Sequence, residues 1–223
     1  MEIDELKRNI ETAVCRVERA ARAFGGDVTI VAATKTVEPR IISAAIALGV
    51  KNIGENRVQE YLEKRDAVTG ADWHFIGTLQ SNKAKYLVGN VALIQSVNSA
   101  ALAAEIDRLA CRRGVVQDVL IEVNVGGEAG KTGAPTELAD GLIEYARSLK
   151  NISVCGLMAV PPRECGDDAY KTAYDIFDRN RADGFDILSV GMSGDYERAI
   201  AFGSNMVRLG TALFGARNYK AGN

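Results

Sequence analysis

The chain has 223 residues, of which 47% are hydrophobic, and this composition excludes a disordered protein because a sizeable core can form. Its 27 basic and 29 acidic side chains leave a formal net charge of −2. This balance excludes the basic surface that attracts nucleic acid or an anionic membrane, so we expect neither as a partner.

The cysteines and the N-terminal segment indicate the cellular compartment. The four cysteines form no C-x-x-C pair and the chain has one histidine, so no metal site is expected. The first residues lack the apolar core of a secretory signal, and no apolar run is long enough to cross a bilayer. We therefore expect free thiols and a cytoplasmic location.

An amphipathic helix opens the chain, because Ile3, Leu6 and Ile10 fall on one helical face, and Gly25-Gly26 ends it. Short β-rich runs then alternate with amphipathic helical patterns. The sequence predicts strands at 28–35, 52–56, 73–77, 93–97, 116–124, 152–160, 186–192 and 206–214. It predicts helices near 39–48, 58–68, 82–88, 99–113, 137–149, 169–181 and 196–202, with Ser99 and Thr136 as N-caps.

This alternation predicts the fold. Continuous apolar strands separated by helices are typical of a parallel sheet, and eight such units fit a closed (β/α)₈ TIM barrel with an extra N-terminal helix. We expect a single domain over residues 1–223, since no linker interrupts the pattern. A doubly wound open sheet is the alternative, and it is disfavoured because no G-x-G-x-x-G loop follows the first strand.

Two loops near the C-terminus are candidates for binding a phosphate. Strand seven runs into Ser193-Gly194, where a hydroxyl precedes a helix and a glycine permits close backbone approach, and strand eight runs into Gly210-Thr211. Loops after these two strands form the usual phosphate site of such barrels. The structural alternative is that Ser193 only caps its helix and Gly210 only turns the chain. Asp195 also counts against an anion there, since a carboxylate already satisfies the helix dipole.

Arg208 lies on the opposite face of its strand from Val207 and Leu209. If those two residues pack against helices, the arginine points into the barrel and needs a partner there. An ion pair with Glu55 or Glu122 is one interpretation. A hydrogen bond to a ligand's ring nitrogen or phosphate is the other.

Lys35 closes the first strongly apolar strand and precedes a break at Glu38-Pro39. In a parallel barrel this position places an amine at the edge where active sites lie. A lysine partly withdrawn from water there is a candidate for covalent chemistry with an aldehyde, although most lysines are simply solvated. An amine combined with a phosphate site is what pyridoxal 5′-phosphate requires, as a Schiff base at one end and an anion site at the other.

Several short motifs resemble those of the YggS/PROSC family, also called pyridoxal phosphate homeostasis proteins, over nearly the whole chain. The matching stretches are Ala33-Thr34-Lys35, 53–60, 73–83, 156–160, 191–195 and 207–215. The resemblance implies a fold type III barrel similar to the N-terminal domain of alanine racemase. It also implies that Lys35 holds the cofactor as a Schiff base. In the same way it assigns the phosphate to Ser193, Gly194, Gly210 and Thr211, the pyridine nitrogen to Arg208, and a place beside the ring to Asn56.

Three further residues in or near these stretches have ordinary interpretations. His74 is interpreted as a satisfied core or rim histidine, and Lys83 as part of a helix on the rim. Lys131 lies in a glycine-rich segment and is interpreted as a solvated side chain, with a weak second cofactor contact or a lid as the alternative.

The family resemblance implies a protein that stores or delivers the cofactor with little or no turnover, and PLP-dependent apoenzymes are the expected partners. We expect a monomer, because a barrel without an added domain needs no second copy and no exposed apolar stripe indicates one. Since little or no turnover is expected, we predict no catalytic residues. A PLP-dependent amino-acid racemase is the alternative, but the opposing tyrosine of alanine racemase belongs to a C-terminal domain that we do not expect in a chain ending at Asn223. An arginine opposite the ring nitrogen also weakens the ring as an electron sink. A Schiff-base aldolase is disfavoured because strand six ends without a lysine.

Overall fold

In the computed structural model, the described residues are 1–127, 130, 132–162, 164–181 and 184–216. Within them, eight parallel strands form a closed ring. These are β1 (Thr29–Ala33), β2 (Asn52–Glu55), β3 (Asp72–Phe75), β4 (Leu93–Val97), β5 (Gln117–Asn124), β6 (Ile152–Ala159), β7 (Ile187–Met192) and β8 (Met206–Leu209). Each strand pairs with the next, and β8 pairs with β1, so the ring is closed and the doubly wound alternative is wrong. A two-residue strand, Ala134–Pro135, extends the pairing beside β5.

Helices surround the ring and follow the predicted alternation. They are α1 (Ile3–Phe24), α2 (Pro39–Ala47), α3 (Val58–Lys64), α4 (Ser81–Ala84), α5 (Ala100–Arg113), α6 (Ala139–Ser148), α7 (Asp168–Arg179), α8 (Tyr196–Ala201) and α9 (Thr211–Phe214). The extra helix α1 packs against α2, α8 and α9, and Gly25 ends it with a φ of 90°. The (β/α)₈ barrel with an N-terminal helix is confirmed.

Strand alternation divides the core into two layers. The outer layer lies between strands and helices and includes Ile53, Val207 and Leu209. The inner layer fills the barrel. Its buried apolar members are Val31, Leu93, Leu120, Met158 and Met206. The side chains on the inner face of the strands therefore form the interior beneath the mouth of the barrel.

Two predicted details of the elements are wrong. The strand predicted over 206–214 ends at Leu209, and residues 211–214 form α9, whose first amide bonds return to the carbonyl of Gly210. The neighbouring β1 ends at Ala33 and offers no further strand partner. Thr136 does not cap α6; it begins a 3-10 turn, and its hydroxyl bonds to Glu137 instead. Ser99 does cap α5, by accepting from the amide of Leu102.

Among the described residues, no helix combines the length and the apolar character that a membrane crossing requires.

We predict that Gly156→Ala destabilises the barrel by about 1–3 kcal/mol, because a Cβ at this position in β6 would lie 1.9 Å from the carbonyl oxygen of Ile187. The matched control is Gly141→Ala in α6, where no atom lies within 4 Å of the added Cβ. This control is expected to stabilise the protein by about 0.5–1 kcal/mol, since alanine is the better helix former. Urea denaturation measures both changes. Effects of equal size and sign would contradict the close approach of β6 and β7.

Candidate functional site

The candidate site lies at the carboxyl ends of β1 and β8. Lys35 follows β1 by two residues, is half-buried, and lines a cavity of about 320 Å³ together with Gly210 and Thr211. Gly210 lies beside the end of β1, since a Cβ built on it would be 3.7 Å from the Cβ of Ala33. The structure thus brings the predicted amine and part of the predicted phosphate loop into one cavity.

Ser193 joins the two candidate phosphate loops. Its Oγ accepts hydrogen bonds from the backbone amides of Gly210 at 3.0 Å and Ala212 at 3.1 Å. It is not the N-cap of α8, which begins at Tyr196 and follows Asp195. The alternative that Ser193 only caps a helix is therefore wrong, and this hydroxyl connects the loop after β7 to the start of α9.

The protein's own packing does not explain the glycines at 194 and 210. A Cβ on Gly194 would meet no atom within 4 Å, and one on Gly210 would make only ordinary contacts. Neither residue has a φ in the left-handed range. Small residues beside a hydroxyl and backbone amides leave room for an anion to approach the main chain closely.

Asp195 stabilises the loop after β7. Its Oδ1 accepts from the amide of Met192 at 2.6 Å, and its Oδ2 accepts from the hydroxyl of Tyr170 at 2.7 Å. Burial, and next the hydrogen bond to this carboxylate, raise the pKa of Tyr170. The carboxylate that we expected to compete with an anion is thus engaged in holding its own loop.

Arg208 points into the barrel, as strand alternation predicts, and is 4% exposed. Its Nη1 donates to the carbonyl oxygen of Ser189 at 2.7 Å and to the Oγ of that serine at 2.6 Å, while Nη2 donates to the carbonyl oxygen of Ala159 at 3.0 Å. Burial lowers the pKa of Arg208 to about 10, against the opposing charges of Asp195 and Glu122. The guanidinium therefore remains a cation at neutral pH.

The two ion-pair partners considered for Arg208 have different positions. Glu55 is wrong as a partner, because its carboxylate bonds to Lys64 from α3 at 2.7 Å. Glu122 lies on the inward face of β5 and attracts Arg208, and its Oε1 accepts from the hydroxyl of Thr132 at 2.6 Å. Burial raises the pKa of Glu122, and both Thr132 and Arg208 oppose that rise.

A chain of buried polar side chains continues from Arg208 across the barrel interior. The Oγ of Ser189 donates to the Oε1 of Gln95 at 2.7 Å, and the Nε2 of Gln95 lies 3.0 Å from the Nδ1 of His74. Since Nε2 of the amide can only donate, His74 accepts at Nδ1 and is neutral. His74 is thus the satisfied core histidine that the sequence predicts. Gln95 and Ser189 were not predicted from the sequence. The signal that could have identified them is a polar residue at an inward position of an apolar strand.

Two buried oxygens at or near the ends of β2 and β5 have no hydrogen-bond partner among the described residues. They are the Oδ1 of Asn56 and the Oε2 of Glu122. Asn56 follows β2 and falls on the same face as Gly54, which packs against the inner-layer residue Val31. Unpaired buried acceptors of this kind are costly unless a ligand or water satisfies them, so both are candidates for ligand contact.

The sequence predicts that Lys83 lies in a helix on the rim and that Lys131 is solvated. Lys83 lies in α4, and its ammonium is 5.9 Å from the ring centre of Tyr86. This placement agrees with a helical position on the rim. Lys131 lies outside the described residues.

Comparisons with known proteins agree with this geometry. Residues 2–218 match the profile of a family described as the alanine racemase N-terminal domain. The chain is 44% identical to the pyridoxal phosphate homeostasis protein of Aquifex aeolicus (strain VF5), and the match covers 97% of this chain and 98% of that protein. It is 26% identical to PipY of Synechococcus elongatus PCC7942, solved with PLP bound, with a TM-score of 0.80 and coverage of 94% and 100%.

The barrel also resembles a longer protein. Alanine racemase of Clostridium difficile 630 superposes with a TM-score of 0.77 at 17% identity, and the match covers 97% of this chain but 58% of that one. At this identity the likeness concerns the fold alone.

We predict that His74 makes the protein less stable as the pH falls from about 6.5 to about 4. Burial lowers the pKa of His74 from 6.5 to about 4, so in this window the unfolded chain binds a proton that the folded chain does not. The full loss amounts to about 3 kcal/mol. His74→Asn, which keeps an acceptor for Gln95, is expected to flatten the profile. Urea midpoints at pH 7, 6, 5 and 4 measure it, and parallel profiles for the two proteins would contradict the assignment.

Proposed function

Because this chain belongs to the family of alanine racemase N-terminal domains, we propose that it binds pyridoxal 5′-phosphate at the mouth of its barrel and takes part in homeostasis of that cofactor. The observation that carries this proposal is the shared cavity of Lys35, Gly210 and Thr211. The relatives support it, since one is named for pyridoxal phosphate homeostasis and another was solved with PLP bound.

The residues at the mouth fit the two ends of this cofactor. When bound, pyridoxal phosphate supplies an aldehyde, which condenses with a lysine amine with loss of one water, and a phosphate, which needs hydroxyl and amide donors. We assign the aldehyde to Lys35. We assign the phosphate to Ser193, Gly194, Gly210 and Thr211, whose hydroxyls and open backbone suit an anion.

Two further residues are assigned to the ring. Arg208 is a buried cation fixed by three hydrogen bonds, and we propose that it faces the pyridine nitrogen. Asn56 has a buried acceptor without a partner among the described residues, and we propose that it lies beside the ring.

We propose that the protein carries the cofactor and turns over little or no amino-acid substrate. A permanent cation facing the ring nitrogen keeps that nitrogen unprotonated and weakens the ring as an electron sink. The relative named for homeostasis matches this chain along 98% of its length, whereas the alanine racemase matches along 58%. An amino-acid racemase is therefore the less favoured function.

The proposal extends to the domain organisation, oligomeric state, location and partners of the protein. We propose that residues 1–223 act as one domain and as a monomer in the cytoplasm, where free thiols persist, and that PLP-dependent apoenzymes receive the cofactor. Light scattering across a concentration series tests the monomer. A mass that doubles with concentration would contradict it.

Borohydride reduction of the PLP-loaded protein, followed by peptide mass mapping, is expected to find the pyridoxyl group on Lys35. Lys35→Ala is expected to lose the adduct and the yellow colour, because Lys35 is the one lysine among the described residues that lines the cavity with the phosphate loop. Lys83→Ala, on the rim, is the matched control and is expected to keep both. An adduct on another lysine in the Lys35→Ala protein would overturn the assignment.

Arg208→Glu is expected to redistribute the visible absorbance of the bound cofactor. A carboxylate at this position favours the protonated pyridine ring, which the guanidinium opposes. Absorbance spectra across pH 6–9 measure the change in protein whose folding is verified by circular dichroism. An unchanged spectrum with PLP still bound would show that the arginine does not face the ring nitrogen.

A further inference from the structure

A buried ion cluster lies on the outer side of the barrel, behind β1 and the turn that carries Lys35. It consists of Glu55 at the end of β2 and of Glu60 and Lys64 on α3, and we call it the Glu55–Lys64–Glu60 cluster. The Nζ of Lys64 donates to the Oε1 of Glu55 at 2.7 Å and to the Oε2 of Glu60 at 3.0 Å. Glu55 is 0% exposed and Lys64 is 6% exposed, so both charges are withdrawn from water.

The cluster bonds to the main chain on both sides of Lys35. The Nζ of Lys64 donates to the carbonyl oxygen of Thr34 at 2.9 Å. The Oε2 of Glu60 accepts from the amide of Thr36 at 2.7 Å. The hydroxyl of Thr34 also donates to the Oε1 of Glu55 at 2.8 Å. The residues immediately before and after the reactive lysine are therefore held by the same three side chains.

The turn held in this way is strained. Thr36 has a φ of 64° and is the one non-glycine with a positive φ in the described part of the chain. For a β-branched residue this conformation is an outlier that persists only when its surroundings enforce it. The amide of Val37 donates to the carbonyl oxygen of Thr34 at 2.9 Å, which closes a β-turn with Lys35 and Thr36 at its centre.

The same cluster reaches a second residue of the proposed site. The Oε2 of Glu55 accepts from the amide of Asn56 at 3.3 Å. Asn56 and Lys35 follow neighbouring strands, so one buried group sets the backbone at the ends of both.

A contribution to folding stability is not enough to explain this buried cluster. Burial raises the pKa of Glu55, against the opposing effects of Lys64 and Thr34. Burial also acts to raise the pKa of Glu60, but the Thr36 amide and Lys64 outweigh it and the pKa is lowered. Buried ion pairs rarely stabilise a protein more than apolar side chains of similar size would, so their value here lies in fixing a geometry.

We propose that the Glu55–Lys64–Glu60 cluster positions Lys35 for its reaction with the aldehyde of pyridoxal phosphate, by enforcing the strained turn that carries the lysine. This inference rests on the proposed function. The three side chains are positioning residues, because they act through the main chain of Thr34 and Thr36 and line no part of the Lys35 cavity.

The test compares substitutions at Glu60, the partly exposed member of the cluster. Glu60→Ala removes the acceptor for the Thr36 amide and is expected to weaken PLP binding about ten-fold or more, since small misplacements of a reacting group are costly. Glu60→Gln keeps an acceptor and is expected to bind nearly as the wild type does. Glu63→Ala, at an exposed position of the same helix, is the matched control.

The readouts are the dissociation constant of PLP, the rate at which borohydride traps the pyridoxyl group on Lys35, and the melting temperature without PLP. A slower trapping rate in Glu60→Ala, restored by adding Thr36→Gly, supports positioning, because glycine adopts a positive φ without enforcement. Wild-type trapping and affinity in folded Glu60→Ala, with only a lower melting temperature, would overturn the proposal.

A further variant and the wild-type protein distinguish failure of the positioning proposal from failure of the proposed function. If Glu60→Ala does not fold, Glu60→Asp keeps the charge but shortens its reach, and wild-type trapping in that variant would overturn positioning. A wild-type protein that forms no adduct on Lys35 would overturn the proposed function itself. An adduct on Lys35 that is insensitive to Glu60 would overturn only the positioning.

Discussion

The pairing of β8 with β1 is the contact on which the candidate site depends. It sets Ala32 opposite Leu209, and so brings the residues that follow each strand to the same part of the barrel mouth. Lys35 and Gly210 are far apart in sequence yet line one cavity because the ring closes at this seam. If this ring were open between β8 and β1, these two strands would be edges, and an amine after one would not meet a loop after the other.

The interior beneath that seam combines apolar packing with one polar path. Arg208, Ser189, Gln95 and His74 form consecutive hydrogen-bonded pairs through an inner layer whose buried apolar members are valine, leucine and methionine. In such surroundings each hydrogen bond is strengthened, and an unpaired member would be costly. Among the described residues, the path holds the arginine in one orientation with no carboxylate hydrogen-bonded to it.

Much of the fold could be predicted because each strand is a short apolar run, which can be identified without knowledge of its partners in the sheet. The predicted limits of β4 are those observed, and most others differ by one or two residues at an end. The larger errors arose where a distant partner decides the local structure. Residues 211–214 have strand-like composition but form α9, since β1 ends first, and Ser193 precedes a helix but bonds to amides of another loop.

The candidate site was partly predictable because several of its residues follow strands that the sequence identifies. Lys35, Ser193, Gly210 and Thr211 lie in short motifs after strands, and the structure brings them into adjoining positions. Lys64 carries no motif and appears in the sequence as an ordinary helical lysine. Its position is intelligible only once the barrel is folded, because its partner Glu55 ends β2 and its partner Thr34 follows β1.

The hydroxyl of Ser193 has a consequence for how tightly this mouth can retain an anion. It already serves as acceptor for two main-chain N–H groups, at Gly210 and Ala212. A phosphate oxygen that takes over those groups would replace a neutral acceptor by a charged one, so any gain comes from stronger, charge-assisted hydrogen bonds and not from a larger number of them.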